Sequence, residues 1–318
     1  MSGFQTQSND HLIRSNLWSS KIKEVLEDEL MGTKYVDMIT DFPDGDTINI
    51  PSIGQAEIRD YVEGTQVSYT SMDTGNFTFS IDQYKSSATY ITEKMKQDSF
   101  YMSRLVASFV PKQARAIAKA MEAKILSVGP DGQTTANLNT INGGNHGFVG
   151  SGTSEAIGIK DFALADYALT MANVPMNGRV AIVHPSVGYT LSTLSPLTGL
   201  TSNNQRWNDI INTGALTGTT FMMNVYGFDV YVSQNLKVNT ASETINGLTA
   251  AAGVNNLFFS AASDVLPFVG LIRQSPKVDS EYNKDYQRDE YVTTCRYGFK
   301  LYRPENLVVV VTDTDVVS

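Results

Sequence analysis

Apolar residues between positions 93 and 128 recur at steps of three and four: Met102, Leu105, Val106, Phe109, Val110, Ala114, Ile117, Ala118, Met121 and Ile125. That spacing places them on one stripe of a helix. Gly129-Pro130 predicts its stop, a left-handed turn followed by a residue that cannot continue. Pro111 falls inside the pattern. It lacks an N–H, so it predicts a kink or a restart there. A long helix with one apolar stripe needs something wide and flat to lie on.

Before this helix the period is two. Ile48 and Ile50 alternate with polar residues in GDTINIPSIG (45–54), and Pro51 confines that strand to an edge. Val67 and Tyr69, then Phe77, Phe79 and Ile81, continue the alternation. The three runs read as a long, mostly polar β-ribbon with little core of its own, suited to lying on another molecule. Earlier still, Leu12, Ile13, Leu17, Val25, Leu26 and Leu30 predict an amphipathic helix from Asn9 or Asp10 to Gly32. It is too small to bury its apolar face alone and must dock.

After the long helix, residues 130–158 are rich in Gly, Asn, Ser and Thr and read as a surface loop. A second helix follows over 159–173, carried by Phe162, Leu164, Ala165, Ala168, Leu169 and Met171. RVAIVH (179–184) is apolar without alternation, a strand buried on both faces. Residues 187–194 predict a short helix, 221–232 a strand pair turning at Tyr226-Gly227, and 241–256 a surface loop. Residues 256–261, 264–272 and 307–311 return to strand-like sequence. Between 277 and 305 six basic and six acidic residues stand among five tyrosines. The equal acid count cancels the field that would hold single-stranded nucleic acid, so a solvated strand face or a salt-bridged subunit contact is expected.

Composition narrows the function. With 42% hydrophobic and 18% charged residues a globular core is available. A net charge of −9 argues against gripping nucleic acid by phosphate neutralisation. Cys295 is the single cysteine, which excludes an internal disulfide and fits a reducing cytosol. It lies in an alternating run with no histidine near it, so it reads as a buried strand residue rather than a nucleophile. The N-terminus has no apolar signal region, and no run approaches the roughly 18 residues of a membrane span. His146 stands in the Gly/Asn loop without ligand-spaced partners, which favours a solvated loop residue. His184 ends a strand without a serine or cysteine elbow, which favours a structural role. No Gly-Lys-Ser/Thr phosphate loop occurs. We therefore expect no catalytic residue, no metal site and no cofactor.

Five places together resemble one family. WSSKIKEVL (18–26) resembles a helical N-terminal arm. GDTINIP (45–51) with FTFSIDQYKSSATYIT (77–92) resembles the two strands of an extended loop. The helix up to Val128 resembles a spine helix. RVAIVHPSVGYTL (179–191) and YGFDVYVSQNL (226–236) resemble axial-domain core strands. RYGFKLYRPENLVVV (296–310) resembles the closing strands of a peripheral domain. In this order they are those of the major capsid proteins of tailed bacteriophages, with the Hong Kong 97 fold, and the style is that of short-tailed (podovirus) phages.

The resemblance implies an α+β fold in four parts: an N-terminal arm (1–40), an extended loop (41–88), a peripheral domain (89–172 and 271–318) and an axial domain (173–270). It implies a structural protein of the virion, assembled in the host cytoplasm into pentamers and hexamers of an icosahedral shell around packaged double-stranded DNA. DNA would be held without sequence specificity and without a membrane. A portal protein is implied, and a separate scaffolding protein follows from the absence of a long segment before the ribbon. Candidate subunit-interface residues are Trp18, Ile48, Ile50, Glu57, Arg59, Asp60, Glu63, Phe77, Phe79 and Lys85. Some relatives crosslink through a lysine, an asparagine and a glutamate. Lys85 lies near the end of the ribbon rather than at its tip, the triad does not match, and no crosslinking is expected. Alternatives are an encapsulin-like compartment shell of the same fold, an α/β hydrolase, and a tail or adhesin protein.

Overall fold

The computed structural model describes residues 30–39, 45, 47–53, 60, 63–64, 66, 74–98, 102–133, 140–193, 221–239, 243–245, 248–250 and 252–313. The expected N-terminal helix, Val67, Tyr69 and the polar stretch 195–220 lie outside them. After a 3₁₀ turn (Gly32–Tyr35) come β1 (Val36–Met38), β2 (Thr47–Ile53), β3 (Thr74–Ser80), β4 (Gln83–Thr92), α1 (Glu93–Asp98) and α2 (Met102–Gln133). β5 (Thr140–Ile141), β6 (Gly144–Asn145), β7 (Gly147–Val149), α3 (Ile159–Met171), β8 (Arg179–Val183) and α4 (Pro185–Thr193) follow. The chain continues through β9 (Phe221–Val225), β10 (Phe228–Val232), β11 (Glu243–Ile245), β12 (Leu248–Ala250) and β13 (Gly253–Ser260). It closes with β14 (Phe268–Asn283), β15 (Arg288–Leu301) and β16 (Val308–Asp313).

Two main sheets result, β1-β14-β15-β4 and β7-β16-β13-β8-β10-β9, with the pairs β2-β3, β5-β6 and β11-β12. β8 explains the second. All five of its residues are buried, between antiparallel β13 and parallel β10. Its side chains alternate between two clusters. Ala181 and Val183 join Phe162, Ala165 and Leu169 of α3, Val187 and Leu191 of α4, and Phe258. Val180 and Ile182 join Leu257, Phe259 and Val309 in the cluster that also holds α2. Each of these Val, Leu, Ile and Phe side chains fully withdrawn from water contributes about 1.5–3 kcal/mol. Arg179, at the head of β8, is 2% exposed. It is satisfied by an ion pair with Asp166 and by donation to Val174 O and Thr170 Oγ1 near the end of α3. A buried charge is tolerated only with partners of this kind.

α2 finds its flat partner in the four-stranded sheet. Ile117, Met121, Ile125, Leu126 and Val128 pack with Val36, Phe268, Cys295, Tyr297 and Phe299. Gln113 is buried too, holding Thr89 Oγ1 of β4 at 2.8 Å and Thr293 Oγ1 of β15 at 2.9 Å.

Several expectations need correction. The apolar stripe from Met102 to Ile125 falls wholly on α2, and that helix is unbroken through Pro111 rather than restarted there. It also continues past Gly129-Pro130 to Gln133. Gly129 has a different reason for being there: a Cβ on it would lie 2.4 Å from Leu307 Cδ2, so the helix must be bare where it meets the core. The run 297–311 is not one sheet, since β15 lies in the first and β16 in the second. Segments expected on the peripheral side, α3 and β16, pack on the same sheet as β8 and β13. The stretch 241–256 is not a plain surface loop, because it holds β11, β12 and the buried start of β13. Among the described residues no helix is long and apolar enough to cross a membrane.

Candidate subunit-interaction surfaces

β2 and β3 form a ribbon in register from Thr47↔Ser80 to Ile53↔Thr74, and among the described residues they pair only with each other. The root does have a core. Phe79 and Ile81 are buried with Val269 and Leu271 of β14, with Ile39, Ile48, Phe77 and Tyr302 packed against them. Phe77 meets Tyr302 edge-on at 5.1 Å. Lys300 Nζ lies 4.9 Å from the Phe77 ring and donates to Thr78 O at 2.7 Å. Gly298 lets the ribbon cross close over β15: a Cβ there would sit 3.0 Å from Ser80 O.

Ile48, Ile50 and Phe77 are therefore only partly covered, while Asp60, Glu63 and Lys85 are exposed. Phe79 is a correction. At 1% exposure it is spent in its own chain's core and offers nothing to a neighbour. Trp18, Glu57 and Arg59 lie outside the described residues.

A second surface begins where the N-terminal segment meets α2. Glu122 is fully buried, and its carboxylate accepts Met31 N at 3.1 Å and Gly32 N at 2.6 Å. Burial raises the Glu122 pKa, and those two bonds with the nearby Arg115 oppose the rise. The neighbouring Tyr35 hydroxyl is pushed up to about 12 by burial, then by Tyr231, Asp229 and Glu122. Sequence reading missed Glu122. A single acid on an otherwise mixed helix face carries no signal of its backbone partner 90 residues away.

The tip of the β14–β15 hairpin carries the interleaved tyrosines and charges. Arg288 lies between Tyr90 (4.6 Å) and Tyr286 (4.7 Å), and its Nε donates to Glu290 Oε1 at 2.7 Å. Lys96 Nζ pairs with Asp289 and with Glu93 at 3.3 Å, and stands 5.7 Å from the Tyr282 ring. Tyr90, Tyr282 and Tyr286 remain exposed. Arg288 and Lys96 thus meet acids of their own chain.

The remaining candidates for chemistry are structural. His146 is not solvated. It is fully buried, with Nδ1 3.0 Å from Gly144 O and Nε2 3.1 Å from Glu305 O. Its own carbonyl accepts Val309 N at 2.8 Å, so pairing of β7 with β16 draws it in. His184 Nδ1 meets Ser186 Oγ at 2.9 Å and accepts Ser186 N at 3.3 Å, tying the start of α4. Cys295 is buried, its thiol pushed up by burial and donating to Gln274 O at 3.1 Å. Among the described residues no three His, Cys, Asp or Glu side chains converge for a metal.

Comparison with known proteins agrees with this picture. Residues 76–310 match the sequence profile of a family described as phage capsid protein. No curated protein matches the chain in sequence. Solved structures match along nearly its whole length. Mycobacterium phage Che8 gives a TM-score of 0.66 at 19% identity, covering 94% of this chain and 97% of that one. The capsid of cyanophage P-SCSP1u gives 0.67 at 16%, over 96% and 94%. The capsid of Ralstonia phage GP4 gives 0.68 at 10%, over 100% of both. At such identities the likeness shows a shared mixed helix-and-sheet fold. The profile covers well over half of the chain, and the chain belongs to the phage capsid protein family, whose members are structural proteins and not enzymes.

Proposed function

We propose that this protein is the major capsid protein of a tailed phage with the Hong Kong 97 fold, forming pentamers and hexamers of an icosahedral shell around double-stranded DNA. The observation that carries the reading is the β2–β3 ribbon. It is rooted in a small core, yet among the described residues its strands have no third strand to lie against beyond the root. A free two-stranded ribbon is marginal in water, so a neighbouring subunit is its natural support. α2 with the four-stranded sheet makes the peripheral domain, and the six-stranded sheet with α3 and α4 makes the axial domain. Residues 1–40 are the N-terminal arm. The closed symmetry of a shell multiplies modest contacts between many copies. The net charge of −9 suits a container that holds DNA without sequence preference. Assembly in the host cytoplasm, with a separate scaffolding protein and a portal, completes the reading, with short-tailed phages as the nearest style.

Expression with a candidate scaffold and negative-stain microscopy tests it: closed shells of uniform size are expected. Deleting residues 55–73 should keep the monomer's circular dichroism and melting temperature while abolishing shells. A deleted chain that still closes would overturn the role given to the ribbon. Shells that hold protein cargo instead of DNA would point to the compartment reading.

A further inference from the structure

The ribbon's root opens on a cavity of about 380 Å³ lined by Ile81, Asp82, Gln83, Tyr84, Gln274 and Arg296. It lies where β14 departs from regular pairing with β15, with register shifts on either side of Gln274. Its two charges are in unlike states. Asp82 Oδ2 accepts a hydrogen bond from Gln83 Nε2 at 2.9 Å and lies 3.7 Å from Lys124 Nζ. Gln274 Nε2 is used by Thr294 Oγ1 at 3.1 Å. Arg296 is partly buried and has no hydrogen bond or ion pair among the described residues. A guanidinium carries five N–H donors, and withdrawing it from water without a partner is costly. Among the described residues the acid of the cavity is answered and its base is not, so the cavity fits an anionic group, with a carboxylate as the bidentate match.

We propose that this cavity receives a carboxylate from the acidic stretch of a second copy's ribbon. Residues 54–66 hold Glu57, Asp60 and Glu63 against Arg59, and Asp60 and Glu63 are exposed. β2 has seven residues, so at roughly 3.3 Å per residue it carries its far end about 20 Å from the root. Asp60 and Glu63 follow that far end in the chain, and the cavity that receives them is another copy's. The inference rests on the ribbon acting between subunits, and it names where the ribbon's charge is received.

The test is charge reversal in the full chain, read by shell yield in sedimentation and microscopy, with the monomer's melting curve as control. Arg296→Glu should leave the melting temperature within about 2 °C and lower shell yield by at least about tenfold. Arg296→Gln, which cannot misfold through a reversed charge, should lower it less. Combining Arg296→Glu with Asp60→Arg and Glu63→Arg should restore shells. Wild-type yield from both Arg296 variants would overturn the proposal, and so would a block that the combined variant fails to relieve. The 55–73 deletion separates the two readings. If it abolishes shells while the Arg296 variants assemble normally, only the cavity assignment fails. If it leaves shells intact, the ribbon reading fails.

Discussion

His146 faces two carbonyl oxygens with two ring nitrogens. A neutral imidazole has one N–H and satisfies one of them, whereas the imidazolium would satisfy both. Burial, the larger influence, wins and holds the pKa below its ordinary 6.5; the two carbonyl contacts and the Glu305 charge pull the other way. The sign follows. As pH falls below about 6.5 the unfolded chain takes up a proton that the folded chain resists, so stability present above that pH is lost below it. Burial lowers the pKa of His184 as well and adds in the same direction. The melting temperature should therefore drop between pH 7 and pH 5. His146→Gln, which keeps one donor for one carbonyl, should flatten that slope. An equal slope in the variant would mean that His146 contributes nothing to the pH dependence.

At the scale of elements, the joint between the N-terminal segment and α2 is the most exacting contact. The Glu122 carboxylate takes two backbone N–H groups, and a Cβ on Gly32 would lie 2.6 Å from Glu122 Oε2. Glu122→Ala would leave both donors buried without an acceptor, a loss of about 2–4 kcal/mol in chemical denaturation. Gly32→Ala would force the carboxylate away and should lose about 1–3 kcal/mol. If both variants unfold at the wild-type denaturant concentration, the joint contributes nothing. β14 shows a different problem. Its stretch from Ser275 to Tyr282 is exposed beyond the reach of β1, which pairs only with Phe268 to Gly270. Pro276, Lys277 and the register shifts protect such an edge from indiscriminate strand pairing.

The whole molecule is joined at one cluster. Leu126 and Ile125 of α2 meet Phe268, Tyr297 and Phe299 from the first sheet and Val180, Ile182, Leu257 and Val309 from the second. Two sheets that share a core should not melt separately. Calorimetry of the monomer should show one endotherm for both sheets, and Leu126→Ala should lower its midpoint as a unit, with a loss of about 2–5 kcal/mol. Two resolved transitions, with only one moved by the substitution, would show that the sheets are energetically independent.

The sequence by itself determined the elements whose pattern is local. The amphipathic stripe of α2, the doubly buried β8 and the alternation of β2 and β3 each follow from a spacing within a dozen residues. It also carried the family resemblance, through the order of those elements. Long-range contacts decided the rest. Gly129 reads as a stop until Leu307 is seen against it, and His146 reads as solvated until β16 covers it. Phe79 reads as a free ribbon residue until Val269 and Leu271 enclose it. The division of residues 297–311 between two sheets is invisible in a run of apolar side chains. Arg296 as a cation without a partner among the described residues, and Glu122 as an anchor, exist only because strands and helix distant in sequence meet. Periodicity reports which side of an element is apolar, but only tertiary packing decides what that side touches, and so which charged groups remain for another subunit.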